Sequence, residues 1–331
     1  MRFSVRFNND LPVHQYPRLA QAAEAAGFHQ FWVSDDLFLR GVWPILTACA
    51  LATERIEIGT GLVNPYTMHP AEMAMQAAAL DELSGGRFNL GLGAGAGDFL
   101  GWVGQAQERP LTRTAETLRV LRALFAGERG PFDYEELGGW GEEAYLRFPT
   151  RRIPLYVGAM SRKMLRLTGV AADGGLPLLF PPEHFAEVIS YVREGAAEAG
   201  RSMGDVDVAA CLWVSVAEDR VAAERVLREK IAYYGHALSD LILERLGVGR
   251  EEFAEIERAV QVEHDMDRAQ ALVTEPMLRI GIVGSARDLI ERLEGLVGLG
   301  ATHLSFGPPL GPDPRLAIER LGREVLPHFR S

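Results

Sequence analysis

The sequence predicts a (β/α)8 TIM-type barrel, and two observations carry that expectation. Eight short β-type runs recur along the 331 residues, and longer stretches of helical period separate most of them. Such alternation calls for parallel strands joined by crossover helices, with a doubly wound open sheet as the competing arrangement.

Taken in order, residues 3–7 form the first run and 16–26 the first helical stretch. Residues 30–33 lead to a helix over 44–53, and 56–61 to one over 71–83, which Pro70 opens because its fixed φ suits the first helical turn. The fourth run, 88–93, precedes a helix at 113–125, the fifth, 155–158, one at 163–171, and the sixth, 174–179, one at 182–199. The seventh run is 206–214; the eighth, 303–306, follows a helix over 286–299. Two segments break the pattern. Residues 127–152 carry Gly130-Pro131, Gly138-Gly139 and the acids Glu135, Glu136, Glu142 and Glu143, and read as an inserted loop or hairpin. Residues 230–275 are charged and helical without a strand, and read as an extra pair of helices covering one end of a single barrel domain.

Composition narrows the function. An apolar share of 47% with mean hydropathy of −0.01 fits a soluble globular protein with ample core. Forty-five acids against 34 bases leave a net charge of −11, which repels polyphosphate backbones and argues against nucleic acid as a partner. Cys49 and Cys211 sit among apolar residues, so neither a disulfide framework nor a cysteine metal site is expected, and a reducing cytoplasm fits. No signal sequence is expected at the N-terminus, and no apolar run approaches the roughly 20 residues of a membrane span. Histidines at helical zinc spacing and a Gly-x-Ser-x-Gly elbow are both missing from the sequence, which demotes metalloenzyme and serine-hydrolase readings.

In a barrel, functional groups gather on the loops that follow the strands' C-terminal ends. After the second run stand two adjacent acids: Asp35 suits orienting a ring or polarising a hydroxyl, Asp36 suits proton exchange, and either suits a helix cap. After the third run, Gly61, Leu62 and Asn64 occupy a stretch fit for an unusual backbone against which something flat can rest. After the fourth, alternating glycines around Gly93 and Ala94 either let backbone approach a ligand or pack inside a tapering barrel. After the fifth, Gly158, Ala159, Met160 and Ser161 lead into a helix whose free amides suit an anion, most simply a phosphate, or a plain serine cap. After the eighth, Gly307-Pro308-Pro309 reads as a rigid loop beside the mouth, or equally as simple closure of the barrel.

Three segments in order, Trp32-Val33-Ser34-Asp35-Asp36, Gly59 through Pro70, and Tyr156 through Leu165, resemble the bacterial luciferase-like superfamily. The chain is most similar to its deazaflavin-dependent branch, which includes methylenetetrahydromethanopterin reductase, and Gly307 through Asp313 resembles that reductase's closing loop. The likeness runs to about residue 325 and is weakest over 230–275. The resemblance implies a TIM-type barrel that binds coenzyme F-420, an 8-hydroxy-5-deazaflavin that carries hydride. It also implies a non-prolyl cis peptide at Gly61-Leu62, ring contact by Asp35, Asn64 just past the bulge, and a phosphate-binding turn at Gly158, Ala159, Met160 and Ser161. Two departures stand out. Where the branch follows its aspartate with histidine this chain has Asp36, and where the reductase carries an acid on the first strand it has Arg6. Asp36 is therefore the first candidate for proton transfer, and Arg6 for orienting an anionic group. The leading reading is an oxidoreductase passing hydride between F-420 and a small organic molecule, such as a pterin or folate C1 carrier. The alternatives are an FMN-dependent monooxygenase, a reductase using NAD(P)H directly, and a non-catalytic subunit. A homodimer or higher homo-oligomer is expected, with helices early in the barrel as the interface.

Overall fold

The structure, a computed structural model, describes residues 1–235, 238 and 240–330. Strands β1 (Arg2–Phe7), β2 (Gln30–Val33), β3 (Glu57–Thr60) and β4 (Phe88–Leu92) pair in parallel, each with its sequence neighbour. A separate antiparallel hairpin, β5 (Phe132–Tyr134) and β6 (Gly138–Trp140), occupies the first inserted segment. The barrel continues through β7 (Leu155–Val157), β8 (Gly174–Gly175) and β9 (Asp207–Val216). A short strand, β10 (Ile282–Gly284), pairs with the end of β9, and β11 (His303–Leu310) pairs with both β9 and β1 to close eight parallel strands. The closed barrel is the expected one.

Side-chain alternation explains its two layers. Along β1, Phe3, Val5 and Phe7 face the helices, whereas Ser4 and Arg6 turn inward to His303, Ser305 and the carbonyl of Leu212. The outer ring holds α1 (Tyr16–Ala26), α2 (Val42–Ala52), α3 (Pro70–Leu83), a single turn α4 (Gly97–Gly101), α5 (Pro110–Phe125), α6 (Arg162–Ala171) and α7 (Phe185–Glu198). Inside, the barrel floor is polar. Glu57 accepts from Arg2, Gln30 and Asn89, while Asp207 accepts from the Tyr156 hydroxyl at 2.8 Å and pairs with Arg2 at 3.0 Å. Above it, Trp32, Tyr156, Leu176, Ala209 and Cys211 form an apolar plug against which Leu62 packs.

Three departures from the sequence reading have local causes. The sixth run shrinks to the two residues of β8 because Pro177 has no N–H to give the ladder, although Leu178 still bridges Cys211. In place of the expected pair, α8 (Arg220–Tyr234) is followed by α9 (Asp240–Leu246), α10 (Arg250–Gln261), α11 (Met266–Leu272) and α12 (Glu275–Leu278). Gly247 and His264, both at left-handed φ, stop α9 and α10, and Pro276 starts α12. These helices enclose a second apolar core around Trp213, Leu227, Phe253 and Ile256. Finally, β11 runs to Leu310 with a register shift at Gly307, before α14 (Pro314–Arg320); α13 (Ala286–Gly298) lies where it was expected.

Candidate active site

At the β2 exit, Asn9 knots two loops together. Its amide nitrogen donates to the carbonyls of Asp36 at 3.0 Å and Arg40 at 2.7 Å, and its Oδ1 accepts from the Asp36 N–H at 3.2 Å. Held this way, Asp35 accepts the Val42 N–H at the start of α2 through Oδ1, and Asp36 Oδ2 lies 3.0 Å from the Ser34 hydroxyl. Burial raises both carboxyl pKa values. At Asp35 the Val42 bond opposes the shift and the Asp36 charge adds to it; at Asp36 the Ser34 bond and Lys230 oppose it. Asp35 thus satisfies the first N–H of α2, as the capping reading expects.

At the β3 exit the Gly61–Leu62 peptide is cis, at the position the resemblance implies. The Leu62 side chain turns into the barrel. β-Carbons at Gly91, Gly93 and Gly158 would all collide with it or with the Thr60 carbonyl beneath it. Gly91, Gly93 and Gly158 thus make a groove for leucine, which is the packing alternative, while Ala94 lies half-buried just beyond. Asn64 spends its Oδ1 on the N–H groups of Tyr66 and Thr67, both at 3.1 Å, which fixes the turn before α3.

At the β7 exit, Ala159 is buried, and Met160 and Ser161 are exposed. Ser161 caps α6 by accepting the Met164 N–H at 3.4 Å, and Lys163 projects from the exposed first turn. The N-terminal amides of α6 and a nearby ammonium therefore face outward at the barrel's C-terminal end, a suitable seat for an anionic group.

Arg6 lies in the upper barrel interior. Its Nε donates to Ser305 at 3.1 Å and its Nη2 to the Leu212 carbonyl at 2.9 Å, and the guanidinium takes up the space beside Gly307. The residue that sequence reasoning missed is Lys230 of α8. Its ammonium sits over the rings of Tyr234 at 4.0 Å and Trp213 at 5.3 Å, and it feels the charges of Asp10, Asp36 and Arg6. Burial, reinforced by Arg6 and opposed by the two aspartates, lowers its pKa to about 8. A signal existed: of 34 basic residues only Lys163 and Lys230 are lysine. Burial thus disfavours the charged form of two carboxyls and one amine around one mouth. Among the described residues no cluster of His, Cys, Asp and Glu could hold a metal ion, and no helix is long and apolar enough to cross a membrane.

Comparison with known proteins agrees with this geometry over nearly the whole chain. Residues 1–303 match the family model described as luciferase-like monooxygenase. The 5,10-methylenetetrahydromethanopterin reductase of Methanolobus tindarius is 33% identical over 327 residues, 98% of this chain and 100% of that protein. An F-420-dependent glucose-6-phosphate dehydrogenase of Beutenbergia cavernae is 32% identical over 326 residues, 93% of this chain and 91% of its own. The solved structure of the coenzyme F-420-dependent tetrahydromethanopterin reductase from Methanopyrus kandleri superimposes with a TM-score of 0.92 at 31% identity, covering 99% of each chain. The chain belongs to the bacterial luciferase-like family.

Proposed function

We propose that this protein is an F-420-dependent oxidoreductase that transfers hydride between the deazaflavin and a small organic substrate in the barrel mouth. The observation that carries the reading is a shared cofactor with unshared substrates. The solved pterin reductase and the sugar-phosphate dehydrogenase relative are both named as F-420-dependent, and the reductase barrel superimposes on this one end to end. The residues present fit such a group. The turn Gly158 to Ser161, exposed at Met160 and Ser161, the free amides of α6 and Lys163 suit its anionic tail, and Asp35, Gly61, Leu62, Asn64, Gly93 and Ala94 are the residues proposed to contact its ring. When bound, the deazaflavin supplies a hydride and not single electrons.

The chain's own work is to orient and to move a proton. Asp35, fixed by the Val42 N–H, orients the ring side of the mouth; Asp36, raised by burial, exchanges a proton through Oδ1 or Oδ2, with the Ser34 hydroxyl holding it in place. A pterin or folate C1 carrier is the first substrate class to try, as the named activity of the reductase relatives. A homodimer through the early helices fits the exposed Leu51 of α2 and Met75 of α3, and two buried free cysteines fit a reducing cytoplasm.

Affinity of the purified protein for F-420, FMN and NADPH, measured side by side, tests the proposal. Tight F-420 binding is expected; tight FMN binding with none for F-420 overturns it.

A further inference from the structure

We propose that Arg6 and Lys230 form a subsite at the barrel mouth for an oxyanionic group of the substrate, a carboxylate or a phosphate monoester. The proposal rests on the mouth being the substrate site, as read above. Arg6 spends two donors on Ser305 and Leu212, neither of which carries a counter-charge, and makes no ion pair among the described residues. A guanidinium drawn into a barrel is normally matched by a carboxylate. Lys230 makes no hydrogen bond or ion pair among the described residues either; the Tyr234 and Trp213 faces hold it in place and leave its N–H donors for another acceptor.

The two cations are held at consecutive residues of β9: Arg6 donates to the Leu212 carbonyl at 2.9 Å, and the Lys230 ammonium lies over the Trp213 ring at 5.3 Å. The acids that face Lys230 attract the ammonium, but neither forms an ion pair with it among the described residues. Asp10 is exposed on the rim, and Asp36 is turned to the Ser34 hydroxyl and anchored by Asn9. Tyr234, on the lysine's own helix, donates no charge and lies near Asn8. A guest oxyanion between guanidinium and ammonium accepts from donors that no carboxylate of the described residues engages. The chemistry is complementary: a rigid planar guanidinium on the wall and a compact ammonium on the covering helix.

The lysine count makes the test direct. Protein grown on lysine labelled with carbon-13 at Cε has two side-chain signals, Lys163 and Lys230. The exposed Lys163→Arg variant assigns them. Inorganic phosphate and acetate are titrated separately into cofactor-free protein, with chloride at matched ionic strength as the control. A saturable shift of the Lys230 signal by phosphate or acetate, not reproduced by chloride, supports the subsite. Response to phosphate alone assigns a phosphate monoester, and response to acetate as well assigns a carboxylate. Calorimetry should find phosphate binding about tenfold weaker in Lys230→Met and retained in Lys230→Arg. Movement confined to Lys163, an equal effect of chloride, or no movement overturns the proposal. The F-420 affinity measurement is independent, so failure of the subsite and failure of the cofactor reading are told apart.

Discussion

Leu62 and Gly158 are matched in shape across the barrel: the leucine Cδ1 stands where a β-carbon on Gly158 would have to be. Gly158→Ala should therefore force Leu62 out of its groove and lower stability by about 1–3 kcal/mol, the usual scale for overpacking. Pairing it with Leu62→Ala removes the collision, so the double variant should lose less than the two single losses added together. Urea unfolding of the four proteins gives the coupling directly, and strict additivity would show that the two side chains do not meet.

The inserted hairpin hangs on one buried carboxylate. Glu116 of α5, 2% exposed, accepts the backbone N–H groups of Glu135 at 3.0 Å, Glu136 at 2.9 Å and Leu137 at 3.1 Å. Glu116→Ala leaves three amides without an acceptor, and loss of about 1–3 kcal/mol is expected together with opening of β5–β6. Limited proteolysis should cut within residues 127–152 at least about tenfold faster than in the parent if local opening governs cleavage. Unchanged cleavage would mean that the other contacts, the stacking of Trp140 on His69 at 5.0 Å and the pairing of Arg109 with Glu136 at 2.8 Å among them, hold the hairpin without it.

Acid sensitivity should trace to the barrel floor. Burial alone would raise the Asp207 pKa, but His303, Arg2 and the Tyr156 hydroxyl outweigh it and hold the carboxylate at about 2. A carboxyl with a depressed folded pKa stabilises the fold above its unfolded pKa of 3.8 and loses that contribution as pH falls from 3.8 towards 2. The shift corresponds to about 2 kcal/mol. Asp207→Asn should lower stability at pH 6, and the gap from the parent should narrow below pH 3; a gap constant across that range refutes the assignment.

Alternating strand and helix periods made the barrel legible, because interior and exterior of each strand are written in adjacent residues, as with Ser4 and Arg6 against Phe3 and Val5. The exits of β2, β3 and β7 could be read for the same reason: acids, glycines and a serine cap are local signals. What stayed hidden was set by distance along the chain. Nothing near Gly91, Gly93 or Gly158 says that Leu62 will lie on them, and nothing near Lys230 says that a helix from the insertion will bring it to Asp36 and Arg6. The three-residue β10 is too short to show a period at all.

Stability and use pull in opposite directions at Lys230. Its folded pKa, about 8, lies below the ordinary lysine value of 10.5, because burial and Arg6 disfavour the ammonium more than Asp10 and Asp36 favour it. The sign is opposite to that of Asp207. At neutral pH the fold carries a charge it would rather shed. As pH rises from 8 towards 10.5 the native state releases the proton before the unfolded chain does, so stability from this group increases across that window. Lys230→Met removes the penalty at every pH. It should raise the unfolding midpoint at pH 7, and its advantage over the parent should shrink by pH 10. Thermal unfolding at pH 7, 8.5 and 10 checks the trend, and a variant less stable than the parent at pH 7 would mean that the Tyr234 and Trp213 faces stabilise the ammonium more than burial opposes it. A residue that weakens its own fold in this way, where a methionine would fit the apolar faces better, is the mark of a group kept for what it binds.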